Sequence, residues 1–286
     1  MYEWSPVTAR VENIHKKVRD RVIRIDSEKA AIATETAKKY MFVAPILRRA
    51  KIIKAVCEQM PVRVEDDELM VGNRGKYFCG NATDPEWSMS EWILPLIRDG
   101  VYTLEEDGLY HNPPTEDLDI VISPEDVAVL EECEKFWADG GQRITTSANA
   151  WFPEGYDELC DMCVCANKSL DMPLLMMAAG HMTPGYQKIL TVGYKAIKDQ
   201  AREWLDEHRN NIMGDDMKPY LFYTAVLDVC DAAITLNHRY GDEAARKAAE
   251  CTDPVRKAEL EKIASVCHRV PAHAPRDLWE AIQMYW

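Results

Sequence analysis

Several things are missing from this sequence, and each omission narrows what it can be. No uninterrupted apolar run is long enough to cross a bilayer, and the opening MYEWSPVTARVENIHKKVRD lacks the apolar centre of a secretory leader. Basic residues are in the minority. The 34 Lys and Arg against 48 Asp and Glu leave a formal net charge of −14, which argues against general nucleic-acid binding and against attraction to anionic membranes. There is no phosphate loop, no nucleophile elbow and no zinc-protease helix. Neither an internal repeat nor a low-complexity tract nor a linker divides the chain, so it reads as one continuous unit. The nine cysteines are an odd count without small-scaffold spacing, which fits a reducing cytoplasm better than a disulfide framework.

What is present reads mostly as helix. With 47% hydrophobic and 29% charged residues, the 286-residue chain has the composition of an ordinary globular protein. From Pro6 to Arg24 an apolar stripe of Val7, Val11, Ile14 and Val18 predicts a helix, and Asp26 or Ser27 is positioned to cap the next one. PILRRAKIIKAVCEQM sets Ile46, Ala50, Ile53 and Val56 or Cys57 on one face. PVRVEDDELMVGNRG then predicts an acidic turn, a brief strand at Leu69 to Val71 and a Gly72–Asn73 turn. Residues 84 to 124 read as a long irregular loop with one short helix near MSEWILPLI. Ser123 as N-cap and Pro124 at the first position restart a helix. Helices are also expected around YDELCDMCVCANKSL, over GYQKILTVGYKAIKDQAREWLDEH, over YLFYTAVLDVCDAAITLNHRYGDEAARKAAE and over DPVRKAELEKIASVCHRV. The terminal APRDLWEAIQMYW reads as the opening of an amphipathic helix with Trp279, Ala281, Ile282, Tyr285 and Trp286 as its buried stripe, and no stop signal follows it. The fold class expected is mainly α with a few short strands.

Two features carry chemistry. Cys160, Cys163 and Cys165 form CDMCVC, and three thiolates so close could hold zinc or an iron–sulfur cluster. No fourth ligand stands at a recognisable spacing, and on a helix Cys165 turns away from the other two, so packing is the simpler role. His181, in AAGHMTPGYQ between Gly180 and Gly185, follows an apolar run and could point a polar group into a pocket. The residues alone favour the plainer role, in which it satisfies a local backbone carbonyl. Arg48–Arg49, Asp66–Asp67 and Arg256–Lys257 read as solvated surfaces.

Four segments in register resemble the N-terminal half of glycyl radical enzymes, the pyruvate formate-lyase-like family. They are APILRRAKIIKAVCEQMPVRVEDDELMVGNRG, AAGHMTPGYQKIL, FYTAVLDVCDAAITLNHRYGDEAARKAAE with Gly241 where alanine is usual, and CHRVPAHAPRDLWEAIQMYW. The resemblance runs from about residue 10 to Trp286 and is nearest to the dehydratase-type members that act on glycerol, propanediol or hydroxyproline. It implies that residues 1–286 are the N-terminal helical portion of a pyruvate formate-lyase-like domain, an α/β barrel truncated before most of its strands. The implied activity is that of a radical lyase. A glycyl radical, installed by a radical S-adenosylmethionine activating enzyme, oxidises a cysteine, and a nearby glutamate serves as acid or base. On this reading those catalytic residues lie beyond Trp286, and the chain alone is expected to be inactive and to bind no metal or cofactor itself. The same likeness places His181 beside a substrate hydroxyl, where a proton donor helps water depart. Pro173 stands where eliminating members usually carry an aromatic pocket residue, so the substrate is expected to differ. The implied partners are a small-molecule substrate, the activating enzyme and either the rest of the enzyme or a second copy, in the cytoplasm, with no nucleic acid and no membrane. The alternative is a stand-alone helical interaction module without activity, which binds a partner or a full-length relative.

Overall fold

The computed structural model describes residues 8–73, 75–82, 85, 89–114, 118–138, 185–210 and 212–286. The described chain is mainly helical with a small mixed sheet, as the sequence predicts. The elements are α1 (Ala9–Arg19), β1 (Val22–Asp26), α2 (Glu28–Lys39), α3 (Pro45–Gln59), β2 (Asn81–Ala82), α4 (Met89–Arg98), β3 (Thr103–Leu104), β4 (Tyr110–His111), β5 (Asp119–Ile122) and α5 (Pro124–Ala138). After them come α6 (Tyr186–His208), α7 (Met217–Glu250), α8 (Pro254–Arg269) and α9 (Leu278–Tyr285).

The five strands lie in the order β2-β1-β5-β4-β3. β1 is parallel to both neighbours, setting Ile25 opposite Ile122 on one side and Asn81 on the other, whereas β3, β4 and β5 are antiparallel. Two sequence expectations are corrected here. The helix predicted to Arg24 ends at Arg19, and VIRID is a strand whose Ile25 and Asp26 are buried. The irregular stretch after Asp84 contains three short strands besides α4.

One core lies on this sheet. Ala30, Ala33 and Ala37 of α2 form a small-residue stripe that lets the helix lie close to Ile25, Ile122, Leu130 and Trp137. Large apolar side chains buried this fully, such as Ile93 and Leu94, each contribute about 1.5–3 kcal/mol. The Trp137 indole N–H donates to Thr34 Oγ1 at 2.8 Å, and the Thr34 hydroxyl donates to Ala30 O at 2.7 Å, so the buried polar atoms are paired. Ser123 caps α5 as expected: its Oγ accepts from Asp126 N at 3.1 Å and donates to Asp126 Oδ2 at 2.6 Å.

The second core surrounds α7, the spine of the C-terminal half, with Tyr240, Ala244 and Ala248 packed on Leu260, Ile263 and Cys267 of α8. By length and composition α7 would also qualify to cross a membrane, which the absence of an uninterrupted apolar run had concealed. Its flanks here are occupied by α3, α6 and α8. At Gly241 an added Cβ would stand 2.8 Å from the His268 ring, which Nε2 holds to Asp242 at 2.8 Å, so this glycine is matched to the histidine on the facing helix.

α6 is predicted as one helix and is kinked. Gly193 has φ 75 and ψ 168, and the amides past the kink leave the helical pattern: Tyr194 N–H donates to Pro271 O and Lys195 N–H to Ala272 O, both at 2.9 Å. The stripe expected on α9 is also corrected. Asp277 caps the helix, and its buried positions are Glu280 and Gln283; of the expected stripe Trp279 packs half-buried on the second core, while Ile282, Tyr285 and Trp286 are exposed. On α1 the expected stripe of Val11, Ile14 and Val18 is likewise exposed.

Candidate functional site

His181, Cys160, Cys163 and Cys165 lie outside the described residues. The first helical residue described after His181 in the sequence is Tyr186, which opens α6 and whose ring stands 5.1 Å from that of Tyr285 on α9. Tyr285 belongs to the rim of a cleft of about 560 Å³.

One wall is the extended segment Val71–Asn73. A strand was predicted at Leu69 to Val71, but among the described residues no strand pairs with it. A glutamine side chain takes that place: Gln283 Oε1 accepts from Val71 N–H at 2.9 Å and Gln283 Nε2 donates to Val71 O at 2.8 Å. A primary amide offers one donor and one acceptor side by side, as a neighbouring strand would, so a single buried Gln satisfies both backbone groups. Asn73 is fixed just as fully. Its N–H donates to the Tyr240 hydroxyl at 2.7 Å, that hydroxyl donates to Asn73 Oδ1, and Asn73 Nδ2 donates to Pro61 O at 3.1 Å and Gly75 O at 2.7 Å. Gly72 lies against the Trp286 indole, where a Cβ would be 2.9 Å from Cδ1.

The opposite walls are α3 with Ile53 and Cys57, α7 with Val229, Leu236 and Asn237, and Tyr194 just past the α6 kink. Burial pushes the Cys57 thiol and the Tyr194 and Tyr240 phenols above their ordinary values, so all three are neutral near pH 7. Among the described residues, no side chain lining the cleft is charged. The described cleft therefore offers no general base and no ionised nucleophile; its chemistry is that of binding. One polar atom in it is unmatched, because Asn237 Oδ1 is shielded and has no hydrogen-bond partner.

The charged residues sit behind these walls and hold the helices together. Asp228 of α7 takes Lys51 at 2.7 Å and Lys54 at 3.1 Å from α3, and Asp231 pairs with Lys198 of α6. Those lysines keep the Asp228 carboxyl below the usual range despite its burial. Fully buried Glu280 is held by Arg276 through Nε at 3.0 Å and by Arg269 through Nε at 3.3 Å. Arg256, expected on a solvated surface, instead reaches across to the acidic turn. Its Nη1 donates to Glu68 O and its Nη2 to Glu65 O, both at 2.8 Å. Asp66 and Asp67 of that turn pair with Lys247 at 3.3 Å and Lys17 at 2.9 Å.

Sequence reasoning passed over Asn237 and read Asn73 only as a turn residue. Gln283 belonged to a recognised stretch, but nothing local marked its amide as the partner of Val71, which is far away along the chain. Among the described residues no cluster of His, Cys, Asp or Glu could hold a metal ion.

Comparison with known proteins gives this geometry its setting. Residues 4–286 match the sequence pattern of the family described as pyruvate formate lyase-like. The chain belongs to that family, whose relatives here are glycyl radical enzymes. It is 29% identical over 287 residues to the isethionate sulfite-lyase of Oleidesulfovibrio alaskensis, an alignment that spans 97% of this chain and 32% of the relative. It is 30% identical over 280 residues to the trans-4-hydroxy-L-proline dehydratase of Clostridioides difficile, spanning 95% of this chain and 32% of that one. Among solved structures, the glycerol-bound B12-independent glycerol dehydratase of Clostridium butyricum superposes with a TM-score of 0.80 at 27% identity, over 99% of this chain and 34% of the other. The chain thus spans about a third of the length of the relatives it matches.

Proposed function

We propose that residues 1–286 are the N-terminal portion of a glycyl radical lyase of the dehydratase type, which eliminates water from a hydroxylated small molecule. The observation that carries this reading is the match of nearly the whole chain to one third of several dehydratases and lyases, with the fold of the glycerol dehydratase reproduced at a TM-score of 0.80. In this reading the radical glycine, the cysteine it oxidises and the glutamate acid–base belong to the remainder of the enzyme. A radical S-adenosylmethionine activating enzyme installs the radical, and the protein works in the cytoplasm, either joined to that remainder or as a homodimer. Residues 1–286 supply outer helices and one substrate contact.

That contact is His181, which hydrogen-bonds the departing hydroxyl. Its support is the likeness of the glycine–histidine turn to the family and its position five residues before Tyr186, within about 18 Å of chain at about 3.6 Å per residue. Tyr186 in turn touches the rim residue Tyr285.

The test is anaerobic activation of the complete enzyme with an activating enzyme and S-adenosylmethionine. A glycine-centred radical by electron paramagnetic resonance, together with elimination of water from a hydroxylated small molecule, is expected. Residues 1–286 alone should give neither. A radical assigned to a glycine within residues 1–286 would overturn the division of labour. A complete protein that takes no radical but binds a full-length relative would favour the interaction-module reading instead. His181→Ala in the complete enzyme should impair turnover; unchanged turnover and substrate affinity would remove His181 from the site.

A further inference from the structure

We infer that α1 is a strap held on the protein by two ion pairs, and that it lifts as a unit, pivoting at Asp20–Arg21, when dissolved salt screens those pairs. Almost nothing else fastens it. None of its eleven residues is buried, and only Arg10 is less than exposed. Val11, Ile14 and Val18 are 49%, 39% and 36% exposed, so apolar burial contributes little to its attachment. A helix of eleven residues is marginal in water by itself, which makes its helicity conditional on what holds it.

The holding is electrostatic. Arg10 Nη2 donates to Glu259 Oε1 of α8 at 2.5 Å, and two turns later Lys17 Nζ donates to Asp67 Oδ2 of the acidic turn at 2.9 Å. Seven residues apart, Arg10 and Lys17 share one face, so both pairs pull the same side of the helix onto the body. Residues 9–21 carry five Lys and Arg against Glu12 and Asp20, in a chain of net charge −14, and residues 65–68 are all acidic. A groove of about 670 Å³ runs between α1 and that turn, with Asn13 and Lys16 on one bank and Asp66 and Phe78 on the other. The four paired side chains are 21% to 43% exposed, so water and ions reach them. Screening is effective for such pairs, because the Debye length falls from about 30 Å at 0.01 M salt to about 3 Å at 1 M.

Release leaves an intact base. Glu259 keeps Arg256, whose Nη1 donates to its Oε2 at 2.9 Å. The acidic turn keeps the Arg256 bonds to Glu65 O and Glu68 O and the Arg63 Nε bond to Glu65 Oε1 at 2.6 Å. Beyond the pivot, β1 is paired with β5 from Val22 onward. Asp67 loses its cation, but at a place where water hydrates it. Lifting α1 therefore opens the groove and bares Asp66, Asp67 and Phe78 without disturbing either core, an order–disorder switch that responds to ionic strength.

The experiment is amide hydrogen exchange of the complete protein, read by mass spectrometry at about 0.02 M and about 0.5 M KCl. Exchange within residues 12–19 should rise about three- to tenfold with salt, while peptides of β1 and α8 stay unchanged. Arg10→Gln combined with Lys17→Gln should give the fast rate at low salt and remove the salt dependence. Lys17→Asp combined with Asp67→Lys should exchange slowly again, because the pair re-forms with its charges reversed. Lys38→Gln, which cuts the exposed Lys38–Glu35 pair of α2, is the control and should change nothing in α1. Exchange in α1 that ignores salt, or an Arg10→Gln, Lys17→Gln protein that exchanges like the parent, would overturn the inference, because the rest of the protein would then be holding the helix. A salt response shared by β1 or α8 would overturn it too, since the opening would not be confined to α1. None of these readouts needs a radical or turnover, so failure of the proposed reaction leaves them untouched.

Discussion

Replacing Gly193 by alanine tests how α6 is fastened to the segment that follows α8. At φ 75 and ψ 168 the backbone lies in a region that is essentially restricted to glycine, and an L side chain there costs on the order of 1–3 kcal/mol. The new Cβ would also stand 2.6 Å from Ala272 O, 2.7 Å from His273 C and 2.8 Å from His273 Cα. These are backbone atoms, which cannot swing aside, so α6 and residues 271–273 must separate. Separation stretches the two bonds from Tyr194 N–H to Pro271 O and from Lys195 N–H to Ala272 O, each worth about 0.5–1.5 kcal/mol net. The combined loss is about 2–6 kcal/mol, a large share of the ~5–15 kcal/mol that holds a domain folded. The assay is urea unfolding of the variant beside the parent, with amide exchange followed at Tyr194 and Lys195. Gly108→Ala is the control, because Gly108 has φ 80 and nothing within 4 Å of an added Cβ. It should lose only the conformational cost of about 1–2 kcal/mol. Equal losses in the two variants would refute the role assigned to the close approach.

Three further outcomes are expected. Gln283→Leu keeps the size of the side chain but leaves Val71 N–H and O without partners, so stability should fall by about 2–5 kcal/mol and the Val71 amide should exchange faster; an unchanged exchange rate would show that the amide clamp is dispensable. Arg256→Met should cost about 2–4 kcal/mol, measured by thermal or urea unfolding, because two carbonyls of the acidic turn lose a charged donor, and a loss within about 0.5 kcal/mol would return Arg256 to the solvated surface. His111 lies 3.0 Å from Asp107 and 3.5 Å from Asp119, and the Asp107 hydrogen bond raises its pKa above 6.5. The stabilisation is therefore complete below the unfolded value near 6.5 and is lost as pH rises through the higher folded value. NMR titration should place the His111 midpoint above 6.5 and bring it down in Asp107→Asn.

The elements legible in the sequence are those whose cause is local. Ser123–Pro124 starts α5 and Asp253–Pro254 starts α8, with Asp253 Oδ1 accepting from Val255 N at 2.8 Å, because a cap and its amides lie within three residues of each other. The sheet was not legible: the one strand expected, Leu69 to Val71, is not among its five. β3 and β4 are two residues long each, and β1 gains its identity from β5, far along the chain. VIRID follows a helix with β-branched residues that also suit one, so only pairing decides that it is a strand. The candidate histidine was visible as a residue type between glycines, whereas the cleft beside α9 was not, since its walls come from widely separated stretches of the chain.

By itself the sequence determined the family, the helical class and most helix boundaries, since periodicity, caps and motif order are properties of neighbouring residues. Tertiary structure alone decided which face of each helix turns inward. On α9 the aromatic stripe looks like the buried one, yet Tyr285 and Trp286 are exposed and Glu280 and Gln283 occupy the interior beside half-buried Trp279, because Arg276 and Arg269 neutralise the first and the Val71 backbone satisfies the second. The same holds for α6, which bends at Gly193 because the carbonyls of Pro271 and Ala272 arrive there to accept the amides that the bend releases. A buried polar group or a broken helix is stable only when its partners are in place, and those partners come from distant parts of the chain that only the folded protein brings together.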